Sequence, residues 1–277
     1  MKVAEATFAG LLLDRPIIMG VVNVTPDSFS DGGETFDSAA AVRRGREHIK
    51  AGAQILDIGA ESTRPGADPV SPQDEINRAR PVIEALAGGG AVISVDTRKA
   101  EVMAAALKAG ASIINDIAAL TDPGALDAAA NGGASVILMH MQGDPATMQD
   151  APAYRDAPKE IRAFLAARIE ACQAAGIDKA RIAIDPGIGF GKTPRHNVEI
   201  VSRLDEFLDL GCPLVLGVSR KSFIASLSRD APPRMRLGGS LAAALAGVKR
   251  GAKILRVHDV AETRQALDVW EAMENEL

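Results

Sequence analysis

An eight-stranded α/β barrel is the fold this sequence predicts, and three observations predict it. A Gly-Ala pair followed by a short apolar run ending in polar residues occurs four times: GAQILD from Gly52, GASIIND from Gly110, GASVILMH from Gly133 and GAKILRVHD from Gly251. Glycine just past a helix, then a β-branched run, marks a helix stopping and a buried strand starting. Runs at 17–23, 92–96, 182–185 and 214–217 fit the same frame and bring the strands to eight. Helical patterns at 38–50, 73–86, 99–108, 159–174, 197–208, 239–249 and 261–275 separate them, with no hairpin signals, so the sheet is parallel. Right-handed crossovers leave a closed barrel or an open doubly wound sheet. Eight units in 277 residues fit the barrel, whose usual length is about 250. One helix announces its start: Ser71 supplies a capping hydroxyl and Pro72 a proline at the first helical position.

Composition agrees with a single domain over 1–277. The hydrophobic share of 47% and the charged share of 24% are globular values, and no Ser/Pro-rich linker divides the chain. No apolar stretch reaches membrane-spanning length, and the opening MKVAEATFAG lacks the apolar core of a secretory signal. Cys172 and Cys212 have no paired spacing and read as reduced core residues. A cytoplasmic location is therefore expected. The net charge of −5 argues against a nucleic-acid partner, and it means that an anionic ligand must be drawn by a local cluster of cations.

In a parallel barrel the chemistry sits at the C-terminal ends of the strands. The polar tips here are Asp57, Asn115 with Asp116, His140, and Arg256 with His258. Asp57, Asn115 and Arg256 each lie five residues beyond their glycine, which gives them equivalent frames, so all three should share one direction. A buried ionic Asp57 needs a partner, either a neighbouring tip or a loop amide. A purely structural role for it stays as open as a functional one. Arg64, Arg220, Lys221, Arg256 and His258 all fall at or just beyond strand ends, a set of cations on one barrel face. His48, on an amphipathic helix, and His196, near a helix start, read as surface residues. Parity does not decide which of Met139 and His140 faces inward.

Two glycine-rich or polar stretches follow strands. In DPGIGFGKT (Asp185 to Thr193) the final Gly-Lys-Thr matches the end of a phosphate loop. Pro186 occupies the place of that motif's first glycine, and Pro194 is expected to interrupt the helix the motif requires. The stretch reads better as a backbone kept small for a flat ligand, with Asp185 at the strand tip and Phe190 available for contact. NVTPDSFSDGG (from Asn23) and ESTRPGA (from Glu61) belong to mobile loops at about 23–37 and 60–70, suited to lids or binding loops.

The strings NVTPDSFSDGG, ESTRPGA, ISVDT, IINDI, LMHMQG, DPGIGFGK, GVSRKSFI and RVHDV, in this order, resemble the motif series of the dihydropteroate synthase family of pterin-binding enzymes. The similarity runs from about Ile17 to the C-terminal helix. That family has an eight-stranded α/β barrel and is the target of sulfonamide drugs. The resemblance implies that 6-hydroxymethyl-7,8-dihydropterin pyrophosphate and 4-aminobenzoate give 7,8-dihydropteroate and pyrophosphate, with Mg2+. It implies a cytoplasmic homodimer of the folate pathway, with sulfonamides as competitive inhibitors.

Roles then fall to particular residues. Asp185 suits two ring donors of the pterin, since an ionised carboxylate accepts in a forked geometry. Asn115, Asp96 and Lys221 serve the other polar edges, and Met139, Phe190 and Gly217 complete the pterin pocket. Asn23, Thr63, Arg256, the Val257 backbone and His258 are the expected pyrophosphate ligands, with Asn23 also on the metal. Phe29, Thr63, Pro65, Ser219 and Lys221 form the expected 4-aminobenzoate pocket. Asp31 and Arg64 pair to hold the loops shut, and with Lys221, Arg256 and His258 make up the catalytic set. The path is expected to be dissociative, with no protein nucleophile. Ala60 and Ile188 depart from the family pattern, which has glycine and phenylalanine there, and each is expected to change the bulk at the barrel mouth. Two other functions compete: a methyltetrahydrofolate-corrinoid methyltransferase and a non-catalytic pterin-binding paralogue.

Overall fold

The computed structural model describes residues 6–24, 38–62, 69–145 and 147–275. A short hairpin, β1 (Thr7–Phe8) and β2 (Leu11–Leu12), precedes eight barrel strands: β3 (Ile17–Asn23), β4 (Ile55–Gly59), β5 (Val92–Asp96), β6 (Ile113–Asp116), β7 (Ser135–Met139), β8 (Ile182–Asp185), β9 (Leu214–Leu216) and β10 (Ala252–Val257). They pair in chain order, all parallel, and β10 closes on β3, so the sheet is a closed barrel and not an open one. The helices are α1 (Ser38–Lys50), α2 (Pro72–Leu86), α3 (Ala100–Ala109), α4 (Ala125–Asn131), α5 (Ala157–Ala174), α6 (Pro194–Ser202), α7 (Ser222–Leu227), α8 (Leu237–Val248) and α9 (Val260–Asn275).

Alternation along the strands makes two cores. Met19, Ile55, Ile113, Ile137, Ala183, Val215 and Ile254 fill the barrel interior, and Phe8 and Leu13 stop its lower end. Their neighbours Ile18, Leu56, Ile114, Val136, Ile184 and Leu255 face the helices. Being buried on both sides is why the strands read as unbroken apolar runs. The next inward positions toward the C-terminal end carry Asp57, Ser94, Asn115, Asp185 and Arg256, so a polar layer lies directly on the apolar plug.

The hairpin is the part of the fold that the sequence did not signal. Ala9 and Gly10 have φ of +50° and +78°, the two left-handed residues of a primed two-residue turn. Strands of two residues are too short to show alternation. α7, six residues long, was likewise not anticipated, because so short a segment shows no helical period, whereas the seven-residue α4 is the helix whose stop the Gly133 signal marks. The stretch expected as one helix at 197–208 divides. α6 ends at Ser202, Arg203 turns out of helical geometry, and a 3-10 segment, Leu204–Leu210, follows. The expected Ser71 cap is present, accepting from the Asp74 N–H at 3.1 Å.

Three local expectations are corrected. Pro194 does not interrupt a helix; it is the first residue of α6, after a Thr193 cap that accepts from the His196 N–H at 3.2 Å. A proline there gives up only an N–H that the first turn leaves unpaired anyway. His48 is not at the surface: it packs under Gly20 and its Nε2 meets the Val21 carbonyl at 3.1 Å. Ala60 and Ile188 are buried in the outer core between barrel and helices, so neither side chain is exposed at the mouth.

Candidate active site

The equivalent frames of Asp57, Asn115 and Arg256 meet at one carboxylate. Asp57 is fully buried and accepts from Ser94 Oγ at 2.7 Å, Asn115 Nδ2 at 3.1 Å and Arg256 Nε at 2.6 Å. Neighbouring tips are thus its partners. A second guanidinium nitrogen of Arg256 reaches Asp96 Oδ2 at 2.6 Å. One cation is shared by two carboxylates, and burial, with Asp57 close by, pushes the Asp96 carboxyl up to about 7 against the pull of Arg256. Arg256 is held in place while one edge of its guanidinium stays free of the pair.

Asp185 and Arg256 stand on either side of Gly217. A Cβ at that glycine would lie 3.8 Å from Asp185 Oδ2 and 3.9 Å from Arg256 Cβ, so one small molecule resting there touches both. Asp185 Oδ1 accepts from the Gly187 N–H at 2.7 Å, leaving Oδ2 for a ligand. Burial raises its pKa, opposed by that N–H and by Lys221, Arg256 and Lys192. The Lys221 ammonium lies 4.0 Å from the centre of the Phe190 ring. Burial, with Arg256 nearby, lowers it to about 8, while Asp185 and Asp96 resist. Carboxylate, amide, ammonium and aromatic ring therefore surround one small space.

Strand register sets Asn23 beside Gly59, and Gly59 beside Asp96, in one row at the barrel rim. Val257 turns its side chain into the outer core and leaves its backbone between Arg256 and His258. Ser219 is buried, with its Oγ 3.2 Å from the His258 N–H and 3.1 Å from His258 Nδ1. His258 is not a resident cation. Burial, then the charges of Arg256, Arg220 and Lys221, lower its pKa to about 3, so it stands neutral in the free protein and meets an anion first as a hydrogen-bonding group. Arg220 does not join the rim either, because Asp259 holds its guanidinium through two contacts.

Met139 is the inward member of its pair. It continues the face of Ile137, while His140 turns outward to Phe164, with ring centres 5.0 Å apart. The Gly133 unit runs one residue out of frame with the Gly110 unit, since Ile113 pairs with Ser135 and Asn115 with Ile137. Asp116 also points outward, accepting the N–H groups of Ala118 and Leu120 at 2.7 and 2.9 Å. Phe29, Asp31, Thr63, Arg64 and Pro65 lie outside the described residues.

Two contributors escaped the sequence reading. Ser94 shares the inward parity of Asp96 in VISVD, a signal that was available. Lys192 is 2% exposed and points away from any phosphate position, donating to the Phe190 carbonyl at 2.8 Å and the His140 carbonyl at 3.2 Å. That orientation, not a broken helix, rules out a phosphate loop.

A family model described as pterin binding enzyme matches residues 19–258, from Met19 in β3 to the His258 tip. The chain belongs to the pterin-binding enzyme family. Within it, the dihydropteroate synthase of Escherichia coli strain K12 is 51% identical over 94% of this chain and 92% of its own length. A Xanthomonas albilineans dihydropteroate synthase solved with 4-aminobenzoic acid superposes with a TM-score of 0.91 at 51% identity, covering 96% of each chain. A Yersinia pestis dihydropteroate synthase in a sulfonamide drug complex gives 0.92 at 47% identity, over 98% of this chain and 99% of that one. The family match takes in every rim residue from Asn23 to His258.

Proposed function

We propose that this chain is a dihydropteroate synthase, a transferase that joins 4-aminobenzoate to 6-hydroxymethyl-7,8-dihydropterin pyrophosphate and releases pyrophosphate. The observation that carries the reading is the placement of Asp185 and an anchored Arg256 on either side of Gly217. A flat heterocycle presents ring N–H and amino donors to the free oxygen of Asp185. Asn115, Asp96 and Lys221 take its other polar edges, and Phe190 and Met139 its faces. The diphosphate then extends toward Arg256, His258 and the Val257 backbone. The carbon–oxygen bond to diphosphate breaks with its electron pair leaving on oxygen. The amine nitrogen of 4-aminobenzoate supplies the pair for the new carbon–nitrogen bond, and the amine proton departs to water. Charge grows on the leaving oxygens, so a preorganised guanidinium lowers the barrier, an effect of about 3 kcal/mol for one such donor. Ser219 faces the aminobenzoate carboxylate. Sulfonamides compete for the same place, in keeping with the drug complex of the Yersinia pestis relative.

Among the described residues no cluster of three or more His, Cys, Asp or Glu forms a protein-only metal cage. A single amide oxygen from Asn23 at the rim suits Mg2+, which keeps most positions for water and phosphate oxygens. The ion supplies charge neutralisation on the leaving group when bound. A homodimer is supported by exposed Leu227, Met235, Val269 and Met273 on and around α7 and α9. Two free buried cysteines suit a reducing cytoplasm, and no described helix is long and apolar enough to cross a membrane.

The test is an assay of pyrophosphate release. Turnover should require the pterin ester, 4-aminobenzoate and Mg2+ together. Release from the pterin ester at the same rate without 4-aminobenzoate would defeat the proposal, and full activity in excess chelator would remove the metal.

A further inference from the structure

The Gly-Lys-Thr end of the β8–α6 loop serves no phosphate, yet its lysine is among the most buried charges in the molecule. Lys192 Nζ meets three acceptors: Phe190 O at 2.8 Å, His140 O at 3.2 Å and His140 Nδ1 at 3.0 Å. An ammonium has three N–H donors, which match all three acceptors when His140 carries its hydrogen on Nε2. A neutral amine keeps two N–H groups and a lone pair, and that lone pair faces an acceptor unless His140 moves its hydrogen to Nδ1 and becomes the donor.

The loops joined by this group leave no room for slack. A Cβ at Gly187 would fall 1.9 Å from the His140 carbonyl oxygen, and one at Gly191 would fall 2.5 Å from that of Gln142. Other polar groups of the loop are also tied, with Tyr154 donating to Gly191 O at 2.9 Å and Gln149 to Gly189 O at 2.7 Å. Phe190, whose carbonyl Lys192 grips, is the ring under Lys221.

We propose that Lys192 is the positioning residue of the pterin pocket: its ammonium fastens the β8–α6 loop to the end of β7 and thereby sets Phe190, the Lys221 ammonium above it and the charge on Asp185. The inference rests on the pterin-binding reading of this site. The charged and titratable groups around Lys192 are His140 at the end of β7, Asp185 on β8, Lys221 after β9, Tyr154 before α5 and His196 on α6. Burial, with Lys221 adding to it and Asp185 opposing, brings the lysine down to about 7, so rising pH removes the third donor. Burial and the Lys192 charge in turn hold His140 neutral, lowering it to about 3.

The experiment measures KM for both substrates against pH in wild type, Lys192→Met and Lys192→Gln, the glutamine keeping two donors without the charge. The pterin-ester KM should rise tenfold or more in the variants, with the 4-aminobenzoate KM within twofold of wild type. The rise in pterin KM of the wild type above pH 7 should be missing from both. In wild type the 15N signals of His140 should show Nδ1 accepting a hydrogen bond and should move over the same pH range. An unchanged pterin KM in Lys192→Gln overturns the proposal, as does an equal rise in both KM values, which would mean general loosening. An alkaline rise that persists unaltered in Lys192→Gln belongs to Lys221 and overturns it too. Should wild type release no pyrophosphate at all, the functional reading fails instead, and the His140 signals still decide whether the tie exists.

Discussion

Replacing Asp57 by asparagine asks whether the barrel rim is held by charge or by shape. The two side chains have the same outline. With its oxygen at the Oδ2 position, the new amide would still accept from Asn115 and Arg256, now 3.1 and 2.6 Å away, and its nitrogen would face Ser94, whose hydroxyl can turn to accept. What disappears is a negative charge against a buried guanidinium. Removing one partner of a buried pair costs about 3–5 kcal/mol when the other is stranded. Arg256 is not stranded, because Asp96 stays 2.6 Å from its other nitrogen. Exchanging one charged hydrogen bond for a neutral one costs about 1–2 kcal/mol. For a chain of this size that lowers Tm by about 3–6 °C. Losing half of a leaving-group contribution of about 3 kcal/mol slows turnover about tenfold. The loss should appear in kcat, since the charge on diphosphate develops in the transition state. Thermal unfolding and pyrophosphate-release kinetics read both quantities. An Asp57→Asn variant with wild-type kcat would refute Asp57 as the anchor of Arg256. A loss beyond about 1,000-fold, or about 4 kcal/mol, would mean that Asp57 itself touches the reacting atoms.

Gly217→Ala should fold normally, since its Cβ meets Asp185 and Arg256 only at ordinary contact distance, yet pterin affinity should fall about tenfold, roughly the 1.4 kcal/mol of a methyl in the ligand's place; calorimetry with unchanged affinity would move the ligand away from Gly217. Gly187→Ala should be insoluble or lose more than about 4 kcal/mol, because φ is +71° and the new Cβ would strike the His140 carbonyl; a variant melting near wild type would contradict the packing of that loop. Diphosphate binding should take up protons in mildly acidic solution, because an anion beside His258 raises a pKa that lies near 3 in the free protein, and uptake should vanish as pH climbs above the bound value. Calorimetry in buffers of different ionisation enthalpy measures this, and no uptake between pH 5 and 7 would remove His258 from the diphosphate site.

The order of strands, their number and the identity of most rim residues were legible in the sequence. Glycine stops and β-branched runs are local signals, and strand alternation carries a side chain's direction across a few residues without tertiary information. That is why Asp57, Asn115 and Arg256 could be placed in one frame although they come from three distant strands. Barrel closure fixed what local signals leave free. It made Arg256 the shared partner of Asp57 and Asp96, turned Met139 inward by a one-residue offset after Gly133, and sent Arg220 to Asp259. Burial decided charge: a histidine expected as a cation stands neutral, and a lysine that looked like part of a phosphate loop became a buried tie between two loops. Sequence spacing sets which way a side chain points, whereas its protonation and its partner depend on solvent and charges brought near from elsewhere in the chain, and those exist only after folding.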